Sequence, residues 1–418
     1  MAVLALGLGG CGDDPAGGAE EAGVVRVDGG ALDAGATPLD AAMPDAASAR
    51  DAGPRVDGAG GEADAGDVPV LPGDGCDGVA LRPAPVDPER RGPWSVGART
   101  AAVGRLTVEV WYPAARASDV PVRYDLRDWL PPSQRARIPD TDNPWQDCDC
   151  TRDAPIDEAR GPYPVVVFVH GTAAFRTQSL SIATHWASRG FVVAAADHPG
   201  LFLGDQLAIA CPDSASGARN IAGDVDAVLA ALDAPSEGLA FLAGRIDRAR
   251  TALAGHSAGG AVAGLTGRPG VALVIGLASS QSATRSEQLR GALFVGAEDD
   301  RVVRYNQTVS AYASSPAPKW LLGIGGSGHL APSDLCDLEN EAGEDLVAVA
   351  QRYDVCGASF ASFLFDCRPE HIEPERARVV TRAITTAILE RVLSCRDRDD
   401  AIAALPGRFA EVSELRSE

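Results

Sequence analysis

The sequence has no cluster of Lys and Arg with interleaved aromatic residues, and its formal net charge at pH 7 is −21. An acidic surface repels the phosphate backbone of nucleic acids, so we exclude DNA and RNA as partners. The chain also lacks an H-E-x-x-H motif, a CxxC motif and a close group of His and Asp residues. These are the patterns that hold metal ions, so a metalloenzyme is the weakest hypothesis, and we expect no cofactor.

Aromatic residues are missing from residues 12–80, which consist mainly of Ala, Gly, Asp, Pro and Val. Such a segment cannot bury enough apolar surface to offset its conformational entropy, so we predict a disordered acidic spacer. Fifteen acidic residues stand against three Arg there, so more than half of the net negative charge lies in the spacer. We expect one folded domain over 81–400 with an insertion at 120–162, and a tail over 401–418.

The first eleven residues form an apolar run that ends in Leu8-Gly9-Gly10-Cys11. This resembles the end of a bacterial lipoprotein signal, in which the cysteine is lipidated and becomes the mature N-terminus. A basic n-region and a long h-region are missing, however. Three interpretations stay open: an envelope lipoprotein anchored through Cys11, an exported protein without an anchor, and a cytosolic protein. We expect membrane contact only through such an anchor.

Eight cysteines remain when Cys11 is set aside, which is an even number. Outside the cytosol disulfides are their expected use, and the alternative is buried free thiols. Many pairings are compatible with eight cysteines, and we favour local ones. The two expected pairs are Cys336 with Cys356 and Cys367 with Cys395.

Apolar runs alternate between strand and helix patterns from residue 106 onward. Strands are predicted over 106–112, 164–170, 191–196, 271–277, 292–296 and 319–324, and helices over 218–234, 306–313 and 374–393. The first of these strands is expected at a sheet edge. This alternation predicts an α/β fold with a doubly wound, mostly parallel sheet flanked by helices.

The segment 250–264 contains Gly255-His256-Ser257-Ala258-Gly259, which fits the motif G-x-S-x-G. A short apolar run precedes the motif and small residues follow it, which is typical of a strand that turns sharply into a helix. In such a nucleophile elbow the serine takes strained backbone angles and its hydroxyl projects from the sheet. We predict that Ser257 is a nucleophile; the alternative is a Gly-rich loop with an incidental serine.

A serine nucleophile needs a base, and the base needs a carboxylate that orients it. We predict that His329 is the base, because it follows the last strand in a Gly-rich loop, where open α/β sheets place their ligands. The other histidines considered are expected to form local hydrogen bonds at strand ends (His170, His256) or to lie at the surface (His185, His371).

Three carboxylates follow the predicted strand 292–296, at positions 298, 299 and 300. We predict that Asp299 orients the base, because it lies three residues from both Gly296 and Val302, and Asp300 is the alternative. The resulting order along the chain, serine then aspartate then histidine, is that of α/β-hydrolases.

A tetrahedral intermediate needs two N–H donors aimed at its oxyanion. One is predicted to be the amide of Ala258, directly after the nucleophile. The other is predicted to be the amide of Thr172, just after the early strand that ends in His170-Gly171.

Several motifs between residues 92 and 395 resemble those of α/β-hydrolases related to dienelactone hydrolase and to platelet-activating-factor acetylhydrolase. They are GPWSVG at 92–97, VWYP at 110–113, VHG at 169–171, ASRGFVV at 187–193, DHPG at 197–200, GHSAGG at 255–260, GAEDDRV at 296–302, GH at 328–329 and DLC at 334–336. The spacing from Gly171 to Phe191 is similar to that of bacterial cutinase-like polyester hydrolases. The resemblance implies an α/β-hydrolase fold and serine-ester hydrolysis without a metal. Dienelactone hydrolase itself uses a cysteine nucleophile, so its substrate does not carry over.

We therefore expect a monomeric, exported hydrolase that cleaves carboxylic esters through an acyl-serine intermediate. Within that class, a short-acyl esterase and a hydrolase of polyesters or lipid esters both stay open. The alternative from another class is a non-catalytic surface lipoprotein with a hydrolase-like binding domain. The complete set of serine, aspartate and histidine argues against it.

Overall fold

The structure is a computed structural model and describes residues 81–211, 216–265, 267–361 and 365–418. All of these belong to the unit Gly61–Glu418. The expected signal at 1–11, the lipidation site Cys11 and the spacer over 12–80 lie outside the described residues. In the part of the chain that is described, no helix is both long and apolar enough to cross a bilayer.

Eleven strands of the described chain form one sheet. In chain order they are Ser95–Val103 (β1), Leu106–Ala114 (β2), Pro121–Tyr124 (β3), Gln146–Arg152 (β4), Tyr163–Val169 (β5), Val192–Ala196 (β6), Ile246–His256 (β7), Val271–Leu277 (β8), Gly291–Ala297 (β9), Lys319–Ile324 (β10) and Val412–Ser417 (β11). The order across the sheet is β11-β10-β9-β8-β7-β5-β6-β2-β1-β4-β3. Six adjacent strands of this sheet are parallel to one another: β6, β5, β7, β8, β9 and β10.

Helices cover both faces of this sheet. They are Leu180–Ser188 (α1), Leu203–Ala208 (α2), Ile221–Asp233 (α3), Ala258–Leu265 (α4), Tyr305–Ser314 (α5), Leu346–Arg352 (α6), Ala358–Ala361 (α7), Pro374–Leu393 (α8), Asp399–Ala403 (α9) and Leu405–Arg408 (α10). Apolar residues of α1 and α8 pack on one face, and those of α3, α4 and α5 pack on the other. The predicted doubly wound α/β fold is therefore confirmed.

Helix α8 shows how the sequence pattern produces one of these layers. Pro374 occupies the first turn, where its missing N–H breaks no hydrogen bond. Val380, Ile384 and Ile388 then recur at helical spacing, and each is 0% exposed against the sheet. The helix spans the residues that the sequence predicted, because both the proline and the apolar stripe mark it.

Two expectations about the sheet are wrong. Strand β2 is not at an edge, because it pairs with β1 on one side and with β6 on the other. The last residues do not form a separate tail, since β11 pairs antiparallel with β10 along that edge of the sheet. Both errors concern antiparallel strands whose patterns are half polar, such as SVGARTAAV in β1 and VSELRS in β11.

The disulfides are not the local pairs that were expected. Cys336 pairs with Cys367, Cys211 pairs with Cys356, and Cys148 pairs with Cys150. Cys395 is also disulfide-bonded. The prediction paired cysteines that lie near each other in the sequence. Cys211, just after α2, and Cys356, just before α7, meet only after the chain has folded. These bonds indicate a protein that folds in an oxidising, extracytoplasmic compartment.

A buried ion cluster fastens residues 85–90 to the domain. Glu390 of α8 is 0% exposed and accepts from Arg189 Nε at 2.8 Å and from Arg398 Nε at 2.6 Å, and Arg396 lies 3.9 Å away. Burial raises the pKa of Glu390, but the three guanidinium groups outweigh it and hold the pKa below its usual range. Arg189 and Arg398 also donate to backbone carbonyls of residues 85–90.

We predict that Glu390→Gln lowers the free energy of unfolding by about 3–5 kcal/mol, because it leaves buried guanidinium groups without a counter-charge. Glu158→Gln is the matched control, since Glu158 is 65% exposed and pairs with Arg245 at the surface; it should cost less than about 1 kcal/mol. Urea unfolding followed by circular dichroism measures both. An equal loss in the two variants would contradict the role assigned to the cluster.

Candidate active site

The strand β7, residue Ser257 and helix α4 form the predicted sharp turn. Ser257 lies between them with φ +54°, a backbone conformation that is strained for a residue with a side chain. A Cβ atom at Gly255 would come within 2.3 Å of the Gly259 backbone, and one at Gly259 would come within 2.1 Å of the Val169 carbonyl oxygen. Glycine at these two positions therefore allows helix, turn and neighbouring strand to approach closely.

His329 lies beside this turn. Its backbone carbonyl accepts a hydrogen bond from His256 Nε2 at 2.8 Å, and the two imidazole rings are 4.7 Å apart between centroids. Its Nδ1 lies 2.8 Å from Asp300 Oδ2, so that Nδ1–H donates to the carboxylate and the lone pair is on Nε2. No hydrogen bond joins the Ser257 hydroxyl to the His329 ring, although both are described; such bonds often close only with substrate bound.

The carboxylate beside His329 belongs to Asp300, and not to Asp299, which the sequence analysis favoured. Asp300 is 5% exposed, and its other oxygen accepts from the N–H groups of Val302 and Val303, both at 2.8 Å. Asp299 is exposed, and its amide donates to the carbonyl of Ser327. Spacing could not separate two adjacent carboxylates, because the turn after β9 decides which one points inward.

The two predicted oxyanion donors flank Ser257. Ala258 is the first residue of α4. Thr172 follows Gly171, where an added Cβ would lie 3.4 Å from Ser257 Cβ. Nearby amides are occupied, since Gly171 N–H donates to Gln178 Oε1 at 2.8 Å and Ala173 N–H donates to the Leu201 carbonyl. Among the described residues, the amides of Thr172 and Ala258 have no acceptor.

Gln178 is a supporting residue that the sequence analysis missed. Its side chain is 0% exposed and fixes the start of the loop after β5 through the hydrogen bond to Gly171. No sequence pattern distinguishes it from a surface glutamine, because its role depends on the path of the following helix.

Three histidines support the site or the core as neutral rings. His170 accepts from His198 N–H at Nε2 and donates from Nδ1 to the Gly171 carbonyl at 2.8 Å. Burial lowers the pKa of His170, His185 and His256 to about 3 in each case. The expectation that His185 lies at the surface is wrong: it is 4% exposed, and its Nε2 donates to the Pro88 carbonyl at 2.9 Å.

An apolar slot of about 50 Å³ adjoins the loop that carries Thr172. Phe175 and Leu203 form one wall, and their segments are joined because Leu203 N–H donates to the Ala174 carbonyl at 2.9 Å. The insertion at 120–162 forms a second wall with Leu126 and Leu130, and α6 closes the slot. A cleft of about 480 Å³ elsewhere is larger, and neither this cleft nor the slot is lined by Ser257, Asp300 or His329.

The described residues contain no group of three or more His, Cys, Asp or Glu side chains arranged to hold a metal ion. The chemistry that the site offers comes from an alcohol, an imidazole, a carboxylate and free amides. These groups suit nucleophilic attack at a carbonyl carbon followed by acyl transfer.

The chain shows similarity to known proteins in one sequence segment and in structure. Residues 143–201 match the family described as platelet-activating factor acetylhydrolase, isoform II. Among solved structures, a ferulic acid esterase from Streptomyces cinnamoneus aligns with a TM-score of 0.48 and 21% identity, over 73% of this chain and 92% of that chain. No curated protein gives a significant match. The chain is therefore similar to the platelet-activating factor acetylhydrolase family in the segment that contains β5 and Thr172.

We predict that acid destabilises the protein through its buried neutral histidines. In the unfolded chain a histidine binds a proton below pH 6.5, whereas native His185 does so only near pH 3. The native state therefore loses stability as pH falls through this window, by up to about 1.4 kcal/mol per pH unit for each such ring. His185→Gln should reduce the slope of unfolding free energy against pH by about 1.4 kcal/mol per pH unit between pH 6 and 4, which corresponds to one bound proton. Above pH 6.5 the slopes of variant and wild type should coincide; equal slopes below it would contradict the prediction.

Proposed function

We propose that the protein is a serine hydrolase that cleaves carboxylic esters through an acyl-serine intermediate. The observation that carries the proposal is Ser257 at the apex of a strained strand-to-helix turn, beside an imidazole whose Nδ1 is held by a buried carboxylate. The similarity of residues 143–201 to an acetylhydrolase family supports the same chemistry. A non-catalytic binding domain would have no need of this strain or of a buried Asp–His pair.

The groups act in the order that acyl transfer requires. His329 Nε2 accepts the hydroxyl proton of Ser257 as Oγ attacks the ester carbonyl carbon, and Asp300 stabilises the imidazolium. The amides of Thr172 and Ala258 donate to the oxyanion. The imidazolium then gives its proton to the departing alcohol, which leaves an acyl-serine. A water molecule, deprotonated by His329, attacks this ester and releases the carboxylic acid and free Ser257.

The apolar slot beside the loop of Thr172 supports a small apolar acyl group in preference to polymers and long lipids, although Ser257, Asp300 and His329 do not line it. Its free volume of about 50 Å³ is well below the roughly 300–1,000 Å³ of pockets that hold drug-sized ligands. Phe175 and Leu203 place this volume next to the loop of Thr172. A long acyl chain would have to displace Leu126 or Leu130, which are 5% and 7% exposed.

We expect hydrolysis of p-nitrophenyl acetate and butyrate with higher kcat/KM than of the palmitate ester, and we expect Ser257→Ala to abolish all three activities. Ser257→Ala should also end labelling by a fluorophosphonate probe, because the probe bonds to an activated serine. Ser282→Ala, outside the site, is the control and should retain both. Wild-type activity in Ser257→Ala would refute the proposal, and a preference for palmitate or a polyester would reassign the substrate.

We expect Asp300→Asn to lower kcat by about 10³- to 10⁴-fold, because an amide holds the wrong tautomer of His329 and cannot offset its charge. Asp299→Asn is the matched control one residue away and should keep kcat within about threefold, since Asp299 is exposed and its contact with Ser327 uses the backbone. Steady-state kinetics on the preferred p-nitrophenyl ester compares the two. A larger loss in Asp299→Asn would reverse the assignment of the acid.

A further inference from the structure

The loop of residues 171–177, which carries Thr172, is fastened by a carboxylate from the neighbouring strand. Asp197 follows β6 directly, and its Oδ1 accepts from the backbone N–H of Arg176 at 2.8 Å. The guanidinium group of Arg176 pairs with Oδ2 of the same carboxylate. The indole Nε1–H of Trp129 donates to both carboxylate oxygens at 3.0 Å. We call Trp129, Arg176 and Asp197 the Asp197 clamp.

The clamp joins the insertion at 120–162 to this loop. Trp129 comes from the insertion and is 1% exposed. Its ring stacks on Phe175 with centroids 4.3 Å apart and planes 16° from parallel. The guanidinium carbon of Arg176 lies 4.9 Å from the Trp129 ring centroid. One insertion residue therefore contacts two successive residues of the loop as well as the carboxylate that holds it.

A second buried carboxylate, that of Glu109, also forms an ion pair with Arg176. Glu109 of β2 is 0% exposed, and its Oε2 lies 3.8 Å from Arg176 Nε. Arg152 and Tyr124 donate to the other oxygen of Glu109 at 2.6 and 3.0 Å. Arg176 therefore lies between two held carboxylates, and its position is defined by charge as well as by packing.

Amides on both sides of Thr172 have acceptors, whereas the Thr172 amide has none among the described residues. Gln178 holds the Gly171 amide, the Leu201 carbonyl accepts from Ala173, and Asp197 accepts from Arg176. Ala173 has φ +57°, which is costly unless its surroundings hold it. The loop is thus fixed on both sides of Thr172, whose N–H stays available for an anion.

We infer that Asp197, Trp129 and Arg176 are positioning residues for ester hydrolysis, because they hold the loop so that the Thr172 amide points at the oxyanion. Holding this loop through Trp129 is then one role of the insertion. This inference rests on the proposed function. The clamp touches no substrate atom; it fixes the loop so that the amide needs no reorganisation in the transition state. Its loss should therefore lower kcat more than it raises KM.

A group of the same chemistry at the other end of β5 provides a matched control. Asp157 accepts from Trp94 Nε1 at 3.1 Å and pairs with Arg82 at 2.8 Å. Tyr163, the first residue of β5, donates its hydroxyl proton to the Asp157 carbonyl at 2.7 Å. Asp157 and Trp94 are 4% and 2% exposed. Substitutions here perturb a Trp–Asp–Arg group at the amino end of the strand, opposite the end that Thr172 follows; its Arg82 side chain is 33% exposed, against 13% for Arg176.

The experiment compares Asp197→Asn and Trp129→Phe with Asp157→Asn and Trp94→Phe in the full chain. Steady-state kinetics on p-nitrophenyl butyrate is measured below the melting temperature of every variant, and hydrogen exchange is followed in peptides that span 171–177. We expect Asp197→Asn to lower kcat by about 10- to 100-fold with KM within about threefold, because its amide N–H groups face the donors of Trp129 and Arg176. Trp129→Phe, which keeps the aromatic stack, should show a smaller loss in kcat. Both should speed exchange in 171–177.

The control variants should lose thermal stability but keep at least half of the wild-type kcat and normal exchange in 171–177. The inference is overturned if Asp197→Asn leaves kcat and loop exchange unchanged, or if Asp157→Asn lowers kcat equally. Failure of the proposed function would give a different experimental result. In that case wild type and Ser257→Ala share the same activity, while faster loop exchange in Asp197→Asn would show that the clamp still orders the loop but serves another reaction.

Discussion

The parallel pairing of the central strands is the constraint on which the site depends. Val169 of β5 is in register with Gly255 of β7, and Gly255 with Gly276 of β8. Further along, Gly296 of β9 is in register with Gly323 of β10. Because all these strands run in one direction, the loops after them emerge at the same edge. Residues from 171 to 329 along the chain are thereby brought together.

Buried charge is tolerated in this domain because it is compensated. Glu390 is surrounded by three Arg residues, Asp300 accepts from two amides and a histidine, and Glu109 accepts from Arg152 and Tyr124. Three buried histidines instead stay neutral, since burial lowers their pKa to about 3. An unpaired charge at any of these places would cost several kcal/mol, which is why each of these carboxylates is surrounded by donors.

Segments outside the central sheet contact the loops at its carboxyl edge. The insertion reaches the loop of Thr172 through Trp129. The segment 365–373 contacts the loops after β9 and β10, since Ile372 N–H donates to the Gly326 carbonyl at 2.8 Å and Arg368 donates to the Asp299 carbonyl at 2.9 Å. The Cys336–Cys367 disulfide ties this segment to the chain just after His329. The loops that carry Thr172, Asp300 and His329 are thus held from outside the sheet.

The sequence by itself determined the fold class, the parallel core strands, helix α8 and the turn at Ser257. Each of these is encoded locally, by runs of β-branched residues, by an apolar stripe or by glycines that a tight turn requires. The antiparallel edge strand β11 escaped prediction because its pattern is half polar and its pairing is long-range. The disulfide pairs and the burial of His185 depend on which segments meet after folding.

Only the tertiary structure decided between Asp299 and Asp300. Both have the same side chain and differ by one position, so composition and spacing treat them alike, whereas the turn after β9 points one carboxylate at His329 and the other at solvent. The Asp197 clamp is of the same kind, since its three residues come from distant segments. Local sequence specifies which elements form, but the contacts that orient side chains such as His329 are made between elements and exist only once the sheet has assembled.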